Sequence, residues 1–562
     1  MTKWKSTLAH QRVEIVIGPD LSRVVDEAIV ALGGQAVFQR QGALVDVVRE
    51  AATKPDGITR PEGIPRIRMV PNARLREALT IAIDFKRRVA GEDGKTSLRS
   101  ASPPHDVVQA VAARGEWGFI RPLAGIAEWP VLRVDGSVLQ TAGYDPATTL
   151  IYEPNVEVAV PESPSLADAQ AAVGDLYSLV GDFPFEKPAH RSAWLAAFLT
   201  LLARPAIDGP TPLTLIDANE RGTGKTLLAD VIGVILRGKP LPRRTAPEES
   251  AEWKKALLAI AIAADPIILL DNVTRMLKSD AFDAVLTGTA FRERVLGRNE
   301  ELTLDIRTVF LATANNATLS ADLVRRSLHV RIESQRERPE ERSDFRFPNL
   351  LEHVREHRAR YLAAGLTVLR GYIVAGRPAV KLRKMGSYEA WSAVVRAPLI
   401  WAGGLDPAET QDALRDSADP EHEGLGALLH AWHAVHGERA RTARFVLADL
   451  SENDSDLDPH QKALRDAIAV HCDADAGRPP THRKFGNRLR VSRGKIVRGL
   501  LLERAGDSED GVMWRVRAIR PDSADSADSV SVPSRKGWGK REEWESESAD
   551  AAESGTRFAG FG

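Results

Sequence analysis

The spacing of apolar positions changes character along the chain. In residues 1–160, VLRVDGSVLQ alternates apolar and polar residues about Asp135-Gly136, as a hairpin turn requires. ARLREALTIAIDFKRR from Ala73 and PHDVVQAVAARGEW from Pro104 instead carry helical spacing, so this part reads as an α+β module. A proline-rich link, VAVPESPSLADAQ, sets a boundary near Glu162, and helical segments follow at Ala167 to Val180 and Ala189 to Ala203. From Thr211 to Ile332 apolar strands alternate with helical stretches, which predicts a parallel sheet covered by helices on both faces.

Residues 350–405 read as helical, set off from the sheet by a charged, solvated loop, ESQRERPEERSDFR. Between 421 and 519 the helices LGALLHAWHAVHG, HQKALRDAIAVHC and HRKFGNRLR precede SRGKIVRGLLLERAG and a hairpin ending in GVMWRVR, an order that suits a winged helix-turn-helix. From Pro521 onward the composition is biased and core-poor, so a disordered tail is expected. The expected division is an accessory module at 1–160, a helical collar at 161–205, an α/β core at 206–335, a helical extension at 336–410, a winged-helix module at 421–519 and a tail at 520–562.

A chain of 562 residues exceeds one ordinary domain. Its 76 basic and 77 acidic residues nearly balance, so any nucleic-acid surface must be local. The one cysteine, Cys472, excludes an internal disulfide and a cysteine-clustered zinc site. MTKWKSTLAHQRVEIVI lacks the apolar core of a signal peptide, and no uncharged apolar run reaches the ~18 residues of a membrane span, so a cytoplasmic protein with no membrane partner is expected.

The chemistry concentrates in the central block. LTLIDANERGTGKT, from Leu213 to Thr226, is an apolar strand breaking into a glycine-rich turn that opens a helix. Backbone N–H groups of such a turn cradle a polyphosphate, Lys225 reaches its terminal phosphates and Thr226 binds Mg²⁺. Nucleotide contacts are therefore expected from Asn219, Glu220, Arg221, Gly222, Thr223, Gly224, Lys225, Thr226 and Leu227. Asn219 stands where the G-x-x-x-x-G-K-[ST] pattern has its first glycine, and asparagine is among the few residues that tolerate the positive φ such a glycine supplies.

PIILLDN runs into Asp271, the acidic residue a phosphate loop needs on a neighbouring strand to complete the Mg²⁺ shell. Asn272 follows it, and a carboxamide cannot accept the proton of an attacking water. TVFLATANN ends in Asn315 and Asn316, one of which is expected to hold that water. ADLVRRSLHVRI then presents Arg325 and Arg326, read either as a surface pair or as a guanidinium offered to a neighbouring subunit's nucleotide. FRERVLGRNEELTLDIRT places Arg292, Arg294 and Arg298 about Gly297, in a solvated loop or in a hairpin that tracks a phosphate backbone.

With these pieces in order, the chain resembles the ATPase part of phage and plasmid primase-helicases, the superfamily 3 type of hexameric AAA+ helicase that includes the poxviral primase-helicase. The resemblance spans roughly residues 120–405 and includes GSVLQTAGYDPATTLIY, ERGTGKTLLADVI, ILLDNV, FRERVLG, LATANN, DLVRRSLHVRI and GSYEAWSAVVRAPLIWAG. It implies a P-loop AAA+ core and an ATP-driven ring that translocates on single-stranded DNA for a prophage or other mobile element. It also implies ATP and Mg²⁺ as cofactors, forked DNA as substrate and a homo-hexamer as the assembly. Lys225 and Thr226 match the family's Walker A, Asp271 its Walker B acid, Asn315 its sensor, and Leu323-x-x-Arg326 its arginine finger. Asn219 and Asn272 depart from its pattern, and neither the acidic constellation nor the zinc ligands of a primase are found, which leaves a primase or initiator to a separate chain.

THRKFGNRLRVSRGKIVRG gathers Arg483, Lys484, Arg488, Arg490, Arg493, Lys495 and Arg498 without an acidic residue, read as a solvent-facing basic helix or as a DNA contact. Ser492 would N-cap the recognition helix under the second reading. Two functions remain: a replicative DNA helicase, or an ATP-gated origin-binding initiator or regulator that assembles without translocating.

Overall fold

The computed structural model describes residues 12–519 apart from 50–64, 91–94, 275, 278, 295–300, 318, 337, 413, 415–419, 451–456, 473 and 475–479. Gly297, Arg298 and the tail expected from residue 520 lie outside these.

Five parallel strands form the central sheet. Their order is Arg243–Arg244, Ile267–Val273, Val309–Asn315, Leu213–Ala218 and Ser327–Ile332. The alternation of side chains along each strand sorts the apolar residues into two cores. Ile216, Ala218, Ile267, Leu269 and Leu311 pack to one side, under the helices Leu166–Leu179, Pro188–Ala203, Lys225–Arg237 and Arg358–Val374. Leu213, Leu215, Ile268, Leu270, Phe310 and Ala312 pack to the other, under Ser250–Ala263 and Asp280–Thr287, where Trp253 stacks on Phe282 with ring centroids 4.7 Å apart. A strand buried on both faces is mostly apolar, which is why Leu213–Ala218 and Val309–Asn315 read as apolar runs broken before their last residues only by Thr214, Asp217 and Thr313.

Pro188–Ala203 is enclosed, with every residue from Ser192 to Ala203 buried, as its largely apolar sequence requires. Gly365 of Arg358–Val374 lets it approach: a Cβ there would come within 2.5 Å of Leu202 Cδ1 and 2.8 Å of Phe198 Cε1. The antiparallel pair Val131–Leu132 and Val138–Leu139 turns at Asp135-Gly136 as expected, with Gly136 at φ 87° and Asp135 accepting the Ser137 N–H at 2.9 Å. Its apolar residues join the central core rather than that of the preceding module.

In that preceding module the helix expected to run from Ala73 through IDFKRR stops at Ala82. Ile83–Ala90 is a strand, parallel to Val13–Val16 and antiparallel to Thr96–Ala101. Ile83 and Phe85 alternate with polar neighbours, and pairing on both sides outweighs the helical propensity of the preceding residues.

A second departure lies in the C-terminal module. Ser492 does not open a helix: it ends His482–Val491, with its N–H bonded to Arg488 O. Gly494 and Gly499, both at φ 78°, break the chain there. Leu500–Ser508 and Gly511–Ala518 then form an antiparallel ribbon flanked by Ile496–Val497 and Arg441–Thr442. The basic residues expected on a recognition helix beginning at Ser492 thus fall on His482–Val491 and the turns after it. That helix is capped by Thr481, whose hydroxyl accepts from Lys484 N–H at 3.2 Å. Among the described residues no helix is long and apolar enough to cross a membrane.

Candidate nucleotide site

Three neighbouring strands of the sheet deliver their C-terminal ends to one place. Leu213–Ala218 leads into the glycine turn, whose left-handed residues Gly222 (φ 76°) and Gly224 (φ 91°) let the chain curl before Lys225 opens the next helix. A Cβ on Gly224 would lie 3.0 Å from the Phe183 ring, a tight contact that adds to the conformational preference for glycine at φ 91°. Trp194 Nε1 donates to Leu228 O at 3.0 Å and pins the first turn of that helix to the core.

Lys225 Nζ donates to Asn315 Oδ1 at 2.5 Å and to Glu220 O at 3.2 Å. Burial pulls the Lys225 ammonium below the ordinary lysine range. Thr226 Oγ1 lies 3.2 Å from Asp271 Oδ1, and Thr313 Oγ1 donates to the same oxygen at 2.6 Å. The Thr313 hydroxyl in turn accepts the Asn272 N–H at 2.8 Å, which fixes the direction of its proton. Asn272 sits at φ 55° where the pairing with Val309–Asn315 shifts register. Its neighbour Asp271 therefore faces the loop while Asn272 is turned outward and exposed.

The residues fit a nucleotide and a divalent cation. The positive-φ glycines offer backbone N–H groups, Lys225 offers an ammonium, and the Thr226 hydroxyl beside the Asp271 carboxylate gives hard oxygen donors of the kind Mg²⁺ takes. Of the other loop residues, Glu220, Arg221 and Leu227 are exposed and Thr223 is buried, its hydroxyl donating to Glu220 O at 3.1 Å.

Asn219 corrects its expectation. It is absent from the positive-φ residues; its side chain instead ties the loop to the segment after the edge strand. Its Nδ2 donates to Ser334 O at 2.9 Å and its Oδ1 accepts the Ser334 N–H at 3.0 Å. The two asparagines of LATANN also divide: Asn315 faces Lys225, whereas Asn316 Oδ1 accepts from Arg331 Nη2 at 3.0 Å and its Nδ2 donates to Asn219 O at 3.3 Å. Arg331 Nη1 meets Asp217 Oδ2 at 2.5 Å. Burial alone would raise the Asp217 carboxyl, but the His329 hydrogen bond and the Arg331 charge hold it below the usual carboxylate range.

Sequence reasoning missed Arg243, Thr313, Asp217 and Arg331. Arg243 Nε lies 3.4 Å from Asp271 Oδ2, and its Nη2 lies 3.0 Å from Asp230 Oδ2, so one guanidinium bridges Asp271 and the helix after the loop. Burial pushes the Asp230 carboxyl up. These residues follow no local pattern; only the sheet brings them to the site.

The arginine expected to face a neighbouring subunit is engaged within its own chain. Arg326 Nη1 lies 2.7 Å from Asp283 Oδ1, and both side chains are mostly covered. Burial pushes the Asp283 carboxyl up, against the pull of Arg326. Arg325 is exposed and pairs with Asp322 on its own short helix.

Of FRERVLG, the described part is a strand: Ala290–Arg294 pairs antiparallel with Glu301–Asp305, with Arg292 opposite Thr303 and Arg294 opposite Glu301, and residues 295–300 lie outside the described ones. Arg292 is exposed, and buried Phe291 and Leu304 root the strand pair in the core. In the C-terminal module, buried Phe485 and Leu489 hold one face of His482–Val491. Arg483, Lys484, Arg490, Arg493, Lys495 and Arg498 are exposed, and Arg488 is half-buried.

No protein-family model matches the chain, and no curated protein matches it. Among solved structures it is similar to the apo A form of the NrS-1 C-terminal region, at 12% identity and a TM-score of 0.35, covering 80% of this chain and 100% of that one. It is also similar to an active helicase, Cch of SCCmec type IV, at 11% identity and a TM-score of 0.28, covering 80% of this chain and 96% of that one. Likeness this loose leaves function to be argued from the site.

Proposed function

We propose that this chain is an ATP-dependent DNA helicase or translocase acting in the replication of a phage or other mobile element, with ATP hydrolysed at the subunit interfaces of a hexameric ring. One observation carries the reading. Lys225 meets Asn315, and Thr226 meets Asp271, at the adjoining C-terminal ends of three neighbouring parallel strands. The sheet order, with the phosphate-loop strand between the strands ending in Asn315 and Ile332, supports an AAA+ core.

In this reading the glycine turn and Lys225 hold the phosphates, Thr226 and Asp271 hold Mg²⁺, and Asn315 orients the attacking water. Bound Mg²⁺ supplies charge neutralisation on the polyphosphate. Arg326 is the finger, and it leaves Asp283 when a neighbouring subunit's nucleotide replaces that carboxylate as its anion. The Arg292 hairpin and the basic surface of His482–Val491, read as a winged helix, supply phosphate-backbone contacts.

Unwinding of a forked duplex by the wild-type protein with ATP, lost in Lys225→Ala, tests the proposal. Equal ATP hydrolysis with and without single-stranded DNA, together with no unwinding, would contradict it.

The second reading, an ATP-gated origin-binding initiator, is favoured by Asn272, which is exposed beside the Walker B acid and offers no carboxylate. It predicts duplex binding in ATP-bound assemblies with negligible turnover.

A further inference from the structure

The N-terminal module carries a basic cleft in which no carboxylate of the described residues pairs with the arginines. Ile83–Ala90 and Thr96–Ala101 pair antiparallel, and the register sets Arg87 directly opposite Arg99. Both lie on the face of the sheet that carries Ile83 and Phe85, because residues two apart along a strand share a face. Ile83 and Phe85 are buried in the module's core, and continuing that face would call for further apolar residues. Instead the strands run out past the core and place two guanidinium groups across from each other. Like charges directly opposite on neighbouring strands oppose pairing, so the arrangement does not serve the sheet.

Arg76, on the helix Asn72–Ala82, reaches the same place, with its Nη2 bonded to Pro103 O at 3.0 Å. Arg76, Arg87, Arg99, Ser100 and His105 line a cleft of about 590 Å³ that no carboxylate among the described residues enters. Among the described residues Arg76, Arg87 and Arg99 make no ion pair. Other arginines of the module do: Arg23 with Glu27, Arg68 with Asp46, Arg74 with Glu77 and Arg114 with Asp26. The module thus pairs its arginines elsewhere and leaves this group exposed. The cations are strung along a hairpin and an adjoining helix, which suits a linear polyanion better than a point anion.

We propose that this cleft binds the phosphodiester backbone of a nucleic-acid strand, with Arg87 and Arg99 contacting phosphates from the hairpin and Arg76 from the helix. The proposal rests on the register and charge of this module and does not depend on the nucleotide site.

Deuterium exchange of the full chain, with no nucleotide added, provides the test. An oligothymidylate and a duplex of equal length are compared, and whichever protects Ile83–Ala90 and Thr96–Ala101 identifies the form bound. Arg87→Gln/Arg99→Gln should abolish that protection. It should also reduce the slope of log affinity against log salt by about 1.4 for a single strand or about 1.8 for a duplex, two phosphate contacts being lost. The melting temperature should be unchanged or higher, since a like-charge opposition is removed. Lys225→Ala should leave protection intact, which separates this result from failure of the ATPase reading. Strands unprotected by either nucleic acid, an unchanged salt slope, or protection by inorganic phosphate but not by oligonucleotide would overturn the proposal.

Discussion

Lys225 and Asn315, ninety positions apart in sequence, meet through a 2.5 Å hydrogen bond from Nζ to Oδ1, joining the first residue of a helix to the end of a strand of the central sheet. The contact defines where the last phosphate of a bound nucleotide would intervene, since the ammonium and the amide converge on the space in front of the glycine turn. Asn315→Ala should lower ATP turnover by about 10²-fold, the loss seen when one positioned hydrogen-bond partner of a transition state is removed. Nucleotide affinity should change far less, and steady-state kinetics beside equilibrium binding of a fluorescent ATP analogue checks the split.

Asn219 makes a two-way amide bond with Ser334. Asn219→Gly restores the usual phosphate-loop residue but should destabilise the chain by about 1–3 kcal/mol, the net contribution of the two half-buried hydrogen bonds lost. Thermal unfolding checks this, and an unchanged melting temperature would show that the clamp is dispensable.

The different visibility of these residues in the sequence has a physical origin. Asp271 and Asn315 were legible because each ends an apolar run, and a strand buried on both faces announces itself by composition. The role of Asn219 was not legible, because its partner lies 115 positions away and the pairing uses the backbone of Ser334, which leaves no side-chain signature. Ser492 misled because serine suits either end of a helix, and the glycines at 494 and 499 that force the chain into a ribbon act through conformation. Ile83 misled because a strong helix precedes it without a glycine or proline between.

Arg326 is bound to Asp283 within one chain. If it serves a neighbouring subunit's nucleotide, Arg326→Ala should lower turnover by about 10³-fold or more while each subunit still binds nucleotide. Mixing Arg326→Ala with Lys225→Ala protein should restore part of the activity, because some interfaces then combine an intact loop with an intact finger. Absence of any recovery on mixing would count against action in trans.

His190 is enclosed, with Nδ1 2.8 Å from His329 O and Nε2 3.3 Å from Glu186. Burial pulls its pKa below the ordinary 6.5. A group whose folded pKa is depressed binds its proton more readily when unfolded, so the stability it contributes is complete above about 6.5 and lost as the pH falls toward the folded value. His190→Gln should therefore flatten the decline in melting temperature between about pH 7 and pH 5. An equal decline in both proteins would place the pH sensitivity elsewhere.

Arg483, Lys484 and Arg490 project from His482–Val491. If this surface contacts duplex phosphates, each alanine substitution should reduce the salt slope of duplex binding by about 0.9. ATP turnover without DNA should be unaffected, and anisotropy titrations across a salt series provide the measurement.

In the proposed reading the Lys225, Thr226, Asp271 and Asn315 constellation drives movement on DNA. Strand separation on a fork, followed in real time with ATP for the wild type and Lys225→Ala, tests it most directly. The expected result is ATP-dependent unwinding with hydrolysis stimulated by single-stranded DNA, both abolished by the substitution. An ATPase indifferent to DNA that leaves the fork intact would contradict it.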